Sequence, residues 1–236
     1  MTVAVTGSMA FDYIMSFPGK FADHILPEQI SRLSVSFLVD SMRRERGGVA
    51  GNIAYNLALL NQSVLLMATV GQDAPEYIAS LRQRGVDTSG VLQLPTDFTA
   101  SFFVSTDQNT NQIALFYTGA MAKAGQISFN DQDSQSITLA TISPNDPDAM
   151  VKYVEECQAL NIPYMYDPSQ QIPRLAADDL IKGIEGAKIL IVNDYEFEMI
   201  KNQTGLSEAD IQSKVETTIV TLGEEGSRIR SGDQDV

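Results

Sequence analysis

The sequence predicts an α/β fold built on a parallel sheet with helices on both faces. Three observations carry this. Short β-type runs alternate with helical patterns, several of the runs are continuously apolar as in strands buried on both sides, and glycines or polar turns follow them. A chain of 236 residues suits one large domain, or a domain with a small appendage. Its hydrophobic share of 44% against 19% charged is enough to bury a sizeable core.

Taken in order, Val3-Ala4-Val5-Thr6-Gly7 reads as a buried strand that opens into a loop. Over residues 50–60, Ile53, Leu57 and Leu60 recur at helical spacing. Residues 64–70 form an apolar strand ending at Gly71, and residues 75–84 a helix stopped by Gly85. Then follow a strand over Ile137–Ile142, a helix over 147–160, strands over 163–166 and 188–192, a helix over 195–204 and a strand over 217–222. Two stretches break the rhythm. Runs Ala100–Thr106 and Gln112–Tyr117, joined by the polar Asp107-Gln108-Asn109-Thr110-Asn111, read as a hairpin. Residues 17–46 are mixed, with 33–39 as a strand candidate. Together these two stretches can pair into a small sheet beside the main domain.

Composition narrows the chemistry. A net charge of −14 argues against a nucleic-acid partner, which needs clustered Lys and Arg. The single cysteine, Cys157, and single histidine, His24, exclude an intramolecular disulfide and a His/Cys zinc site. No serine in a nucleophile-elbow pattern accompanies His24, so carboxylates, amides, hydroxyls and backbone groups are left to do the chemistry. The N-terminus lacks a basic n-region and carries Asp12 in its apolar stretch, and no apolar run approaches membrane-spanning length. A cytoplasmic protein with no membrane partner is expected.

Several segments can carry a site, each with a plainer alternative. Gly47-Gly48-Val49-Ala50-Gly51-Asn52 opens the first long helix, where glycines admit a ligand to free N–H groups. It is neither a Walker A loop nor Gly-x-Gly-x-x-Gly, and a tightly packed glycine turn explains it equally well. Asp12, after the first strand, can accept from vicinal hydroxyls at a strand's carboxyl end, or simply cap or solvate a loop. Asn193 and Glu196, three apart at a helix start, can hold the water shell of Mg2+, or form a capping box. Thr221-Leu222-Gly223-Glu224-Glu225-Gly226 can meet a nucleotide, or turn a hairpin into residues 227–230. Phe102 and Phe116, on the two hairpin arms, can clamp a flat heterocycle, or pack as one face of a small sheet. Asp167-Pro168-Ser169-Gln170-Gln171 can add amide contacts at a strand end.

In this order the segments resemble the ribokinase-like (PfkB-type) carbohydrate and nucleoside kinases. The resemblance rests on Gly47-Gly48 through Ala54, Val70-Gly71-Gln72-Asp73, Gly85-Val86-Asp87, Asp167-Pro168, Asn193-x-x-Glu196 and Thr221-Leu222-Gly223-x-x-Gly226. Within the family, the bacterial adenosine kinases are most similar, through Ala4-Val5-Thr6-Gly7-Ser8, Phe17-Pro18-Gly19, Ser36-Phe37-Leu38-Val39-Asp40, Phe116-Tyr117-x-Gly119-Ala120-Met121, Asn145-Asp146-Pro147 and the Asp167 to Gln171 run. The resemblance implies a three-layer α/β/α domain over 1–236, with a β-sheet lid from about 13–46 and 98–118. It also implies ATP- and Mg2+-dependent phosphorylation of the 5′-hydroxyl of adenosine, giving AMP. By position, Asp12, Gly48 and Asn52 would hold the ribose. Ser8, Ser36, Phe102, Phe116, Gln170 and Gln171 would surround base and sugar, the two rings sandwiching adenine. Asn193 and Glu196 would order Mg2+ and phosphate, while Thr221, Gly223 and Gly226 would touch ATP. A homodimer through the lid is a further implication.

The family's second signature, a Gly-x-Gly-Asp turn whose Asp is the base for the substrate hydroxyl, is expected after residues 227–230 and is not found before Val236. Residues 1–236 are therefore expected to be an inactive fragment of a longer kinase. Two other readings use the same residues: a ribose or fructose kinase, disfavoured by the aromatic pair, and a non-catalytic nucleoside-binding module. A dinucleotide-dependent oxidoreductase lacks its glycine fingerprint here.

Overall fold

The computed structural model describes residues 2–232 and 234–235. In chain order the elements are β1 (Thr2–Thr6), β2 (Ala10–Ser16), β3 (Ser41–Gly47), α1 (Val49–Leu59), β4 (Ser63–Val70), α2 (Pro75–Gln83), β5 (Val91–Gln93), β6 (Ala100–Thr106) and β7 (Gln112–Tyr117). They continue with β8 (Ile137–Ile142), α3 (Pro147–Ala159), β9 (Tyr164–Tyr166), α4 (Ala177–Ile184), β10 (Ile189–Asn193), α5 (Asp194–Thr204), α6 (Glu208–Lys214), β11 (Thr217–Thr221), β12 (Ser227–Ser231) and β13 (Gln234–Asp235).

The main sheet runs β13-β12-β11-β10-β9-β8-β1-β4-β5. From β5 to β11 neighbouring strands are parallel, and β12 and β13 are antiparallel. Helices cover both faces because the strands are apolar on both. Ala4, Leu65 and Met67 pack with Met150, Tyr153, Leu180 and Ile200 on one side. Their neighbours Val5, Leu66 and Ala68 pack with Ala54, Tyr77, Ile78 and Leu81 on the other. Alternate residues of one strand thus serve opposite layers, as the pleat requires. Cys157 is buried and free. Among the described residues, no helix is long and apolar enough to cross a membrane.

The small sheet, ordered β3-β2-β6-β7, forms the lid. Asp107 closes its β6–β7 hairpin. One carboxylate oxygen accepts from the N–H groups of Asn109 (2.8 Å) and Asn111 (2.9 Å), the other from Phe21 N (3.0 Å) and Asn111 Nδ2 (3.2 Å). Its partial desolvation works to raise its pKa, but these four bonds hold it below the usual carboxylate range. The lid is tied to the main domain at Asp73, whose Oδ1 accepts from Thr99 N (2.8 Å) and Thr99 Oγ1 (2.7 Å), just before β6. Arg44 on β3 reaches Asp73 Oδ2 at 3.4 Å while its guanidinium lies 3.5 Å over the Phe11 ring.

Two expectations change here. Residues 33–39 form no strand and pair with none among the described residues, and the strand of this region is β3 instead. The lid begins at Ala10, not at 13, so Asp12 sits within a strand rather than in a loop. His24 is exposed, and its ring packs edge-on to Phe17 and Phe37. That aromatic cluster, completed by Phe21, anchors the irregular segment.

Candidate active site

The first turn of α1 is shaped by Gly48 and Ser8. Gly48 has φ +88°, and a Cβ there would lie 2.5 Å from the Ser8 carbonyl oxygen and 2.6 Å from Ala10 N, so only glycine fits. With no side chain at the N-cap, Ser8 does the capping from outside the helix. Its Oγ accepts from Val49 N (3.1 Å) and its carbonyl from Ala50 N (2.9 Å). A hydroxyl that accepts one bond still has a hydrogen to donate, and Ser8 is on the wall of a cleft.

That cleft has a volume of about 530 Å3 and is lined by Ser8, Asp12, Gly48, Asn52, Phe102, Phe116, Gln170 and Gln171, together with Ala10, Val49, Met121 and Arg174. The volume falls within the range of small-molecule sites. Asp12 reaches it because residue 47 is glycine: a Cβ there would stand 2.4 Å from Asp12 Oδ2. Burial, and then the charge of Glu45, raise the Asp12 pKa, a penalty that hydrogen-bond donors arriving with a ligand would relieve. Asp12, Phe102 and Phe116 form one row across β2, β6 and β7, each the direct partner of the next. The two rings therefore stand side by side on one sheet face, not on facing walls. Ser36 is not in the cleft; it is exposed on the unpaired segment.

Arg174, Met121, Val49 and Ala10 join the lining without having been assigned a site role from sequence. Arg174 carried a signal, being three residues beyond Gln171 in a helical turn, and its Nη1 donates to Gln171 Oε1 at 3.1 Å.

Beside the cleft lie the ends of β9, β10 and β11. Asn193 and Glu196 form a complete capping box. Glu196 N donates to Asn193 Oδ1 (2.7 Å), and Glu196 Oε2 accepts from Asn193 N (2.9 Å). Glu196 Oε1 also accepts from Ser169 Oγ at 3.0 Å, joining this helix start to the turn that supplies Gln170 and Gln171. Asn193 and Thr221 are register partners on β10 and β11. Gly223 and Gly226, with φ of +61° and +94°, make the hairpin turn into β12. Asp167, at the end of β9, has its pKa pushed up to about 7, first by burial and then by the charge of Glu196. Two carboxylates at close quarters without a cation partner among the described residues suit a positive ion between or beside them. Among the described residues no cluster of three or more His, Cys, Asp or Glu could enclose a metal. The site fits a hydrated Mg2+ that takes most ligands from water and phosphate rather than a protein cage.

A wider hollow of about 700 Å3 opens at the opposite end of the strands, between Gln158, Asn161, Lys188 and Lys214. It has no glycine-opened helix start and no aromatic pair, and in open α/β sheets ligands sit at the carboxyl ends. The 530 Å3 cleft is the candidate site.

Comparison with known proteins gives a consistent picture. A family described as pfkB family carbohydrate kinase matches residues 9–236. A Burkholderia thailandensis nucleoside kinase, solved in complex with inosine, is 37% identical, with a TM-score of 0.85 over 100% of this chain and 74% of that one. A Methanocaldococcus jannaschii nucleoside kinase is 25% identical over 236 residues, covering 99% of this chain and 74% of that protein. A Thermotoga maritima ribokinase, at 17% identity and a TM-score of 0.78, shares the fold.

Proposed function

The chain belongs to the pfkB family of carbohydrate kinases, and on that premise we propose that it serves the ATP-dependent phosphorylation of a purine nucleoside, adenosine among them, at the ribose 5′-hydroxyl. One observation carries the reading. Every residue expected to hold the nucleoside, except Ser36, lines a single cleft at the carboxyl ends of the strands. The nucleoside kinases of the two relatives above, one of them holding inosine, support it further.

In this reading Asp12 and Asn52 take the ribose hydroxyls, Gly48 lets the sugar approach the backbone, and Phe102 and Phe116 receive the base. Ser8 donates its spare hydroxyl hydrogen. Asn193 and Glu196 hold the water shell of Mg2+, with Asp167 beside them. Thr221, Gly223 and Gly226 border ATP. Bound Mg2+ supplies positive charge to the phosphates being transferred. The chain's own contribution is position, since phosphoryl transfer is governed by alignment and electrostatic stabilisation. The lid supplies one wall of the cleft, and its outer face is assigned to a homodimer contact.

The aromatic pair favours a nucleoside over a bare sugar, because ribose or fructose has no flat face to place against two rings. Calorimetric titration separates them. Saturable adenosine or inosine binding with little ribose binding is expected, and Asp12→Ala should weaken it at least tenfold, by about 1.4 kcal/mol. Ribose binding as tightly as either nucleoside would turn the assignment to a sugar kinase.

A further inference from the structure

We infer that Arg174 and Gln171 make the cleft prefer purine nucleosides carrying a 6-oxo group over those carrying a 6-amino group. The inference rests on the nucleoside reading and deepens it by naming the base. Gln171 is 5% exposed, and its Oε1 accepts from Arg174 Nη1 at 3.1 Å. A guanidinium has donors and no acceptor, so only the amide oxygen can face it. This fixes the amide: Oε1 is spent on Arg174 and the NH2 end is left over. Among the described residues, Gln171 Nε2 has no acceptor, although it is not sealed from the cleft. Arg174 likewise has no carboxylate partner among them. The edge these two residues present to the cleft is thus made of donors.

A base seated on that edge is recognised by its acceptors. A 6-oxopurine offers O6 and N7 side by side, which a guanidinium fork meets with two N–H groups. Adenine offers N7 beside an amino group, so one donor faces another and an N–H of this edge goes unanswered. The position is right for a base. The row Asp12, Phe102, Phe116 crosses two strand spacings, about 10 Å, from the carboxylate at the sugar end to the aromatic pair. Gln170, Gln171 and Arg174 line the same cleft as that row. Discrimination by a fork that pairs with one purine edge and not the other is commonly about tenfold or more.

The test is calorimetric titration of the 236-residue chain with inosine, adenosine and 7-deazainosine, in the native sequence and in Arg174→Met and Arg174→Lys. Arg174 is exposed, so neither change leaves a hole in the core. Inosine should bind about tenfold or more tighter than adenosine, and 7-deazainosine, which lacks the N7 acceptor, should lose most of that advantage. Arg174→Met should bring inosine and adenosine within about twofold by weakening inosine alone, and Arg174→Lys should fall between, since a point charge lacks the fork. Adenosine binding as tightly as inosine in the native chain overturns the inference. So does an Arg174→Met chain that loses both nucleosides equally, which would assign the guanidinium to the sugar or the phosphates. A folded chain that binds none of the three sinks the nucleoside reading itself, and this inference with it.

Discussion

Asp167 stands at the end of β9 with Glu196 beside it, and its carboxyl has no hydrogen-bond partner among the described residues that would favour its charged form. Its pKa of about 7, against an ordinary 3.8, ties stability to pH. The unfolded chain releases this proton near pH 4, whereas the folded chain keeps it until about pH 7. Raising the pH through that interval therefore costs folded stability, and above it the cost stays constant. Asp167→Asn removes the titration while keeping the shape. Its stability relative to the native chain should be near zero at pH 4, climb between pH 4 and 7, and level off at a gain of roughly 1–4 kcal/mol. Thermal melts over that range read this directly, at about 2–4 °C per kcal/mol for a chain of this size. A difference that stays flat with pH would mean that Asp167 is charged in the folded state. The stored penalty has a functional side: a bound cation would lower it, so the same carboxyl gives up its proton when the phosphate site fills.

At the scale of the element, α5 and α6 carry the same device in different places. Each starts with a capping box, Asn193 with Glu196 and Ser207 with Asp210. Only the first lies among the residues assigned to the phosphates. Asn193→Ala and Ser207→Ala should each cost about 1 kcal/mol in stability. If Asn193 also orders Mg2+, Asn193→Ala alone should weaken magnesium-nucleotide binding; equal, negligible effects would reduce it to a cap. The pair also shows what the sequence could disclose. The order of strands and helices was legible because β4 is apolar almost throughout and α1 and α3 follow helical periodicity over 11 and 13 residues. Shorter α4 and α6, with 8 and 7 residues, give too few turns for a period to stand out. β3, Ser-Met-Arg-Arg-Glu-Arg-Gly, is exposed on both faces except at Gly47, so it lacks the alternation that betrays a strand. Residues 33–39 have that alternation but pair with no strand among the described residues. In the cleft, residues next to glycine turns or on the hairpin were legible from local chemistry, whereas Arg174 was marked only by its place three residues beyond Gln171, and Met121 enters through chain packing.

At the scale of the whole molecule, the lid has a cleft face and an outer face, and the pleat decides which residue serves which. Phe102 and Phe116 look into the cleft, so their neighbours Phe103, Leu115 and Tyr117 look out. Phe103 stacks on Tyr13 with centroids 4.6 Å apart. Around this pair Met42, Ile113, Leu115 and Tyr117 remain exposed, Leu115 by 70%. β7, which supplies three of them, is also the edge strand of its sheet. An apolar patch on a sheet edge is costly to leave in water. A second copy related by a twofold axis would cover it with the identical patch, each β7 facing the other. We therefore propose a homodimer through the lid, which would couple the cleft wall of one protomer to that of its partner. Sedimentation of the native chain at micromolar concentration should give a dimer. Leu115→Lys should give a monomer with an unchanged melting temperature, because this exposed side chain contributes little within one chain. A native monomer, or a dimer that survives Leu115→Lys, would remove the lid from the interface. Because Leu115 and Phe116 are consecutive, the monomeric variant also tests coupling. If the partner holds β7 in place, nucleoside binding should weaken along with dimerisation, by the same factor at which added nucleoside tightens the native dimer.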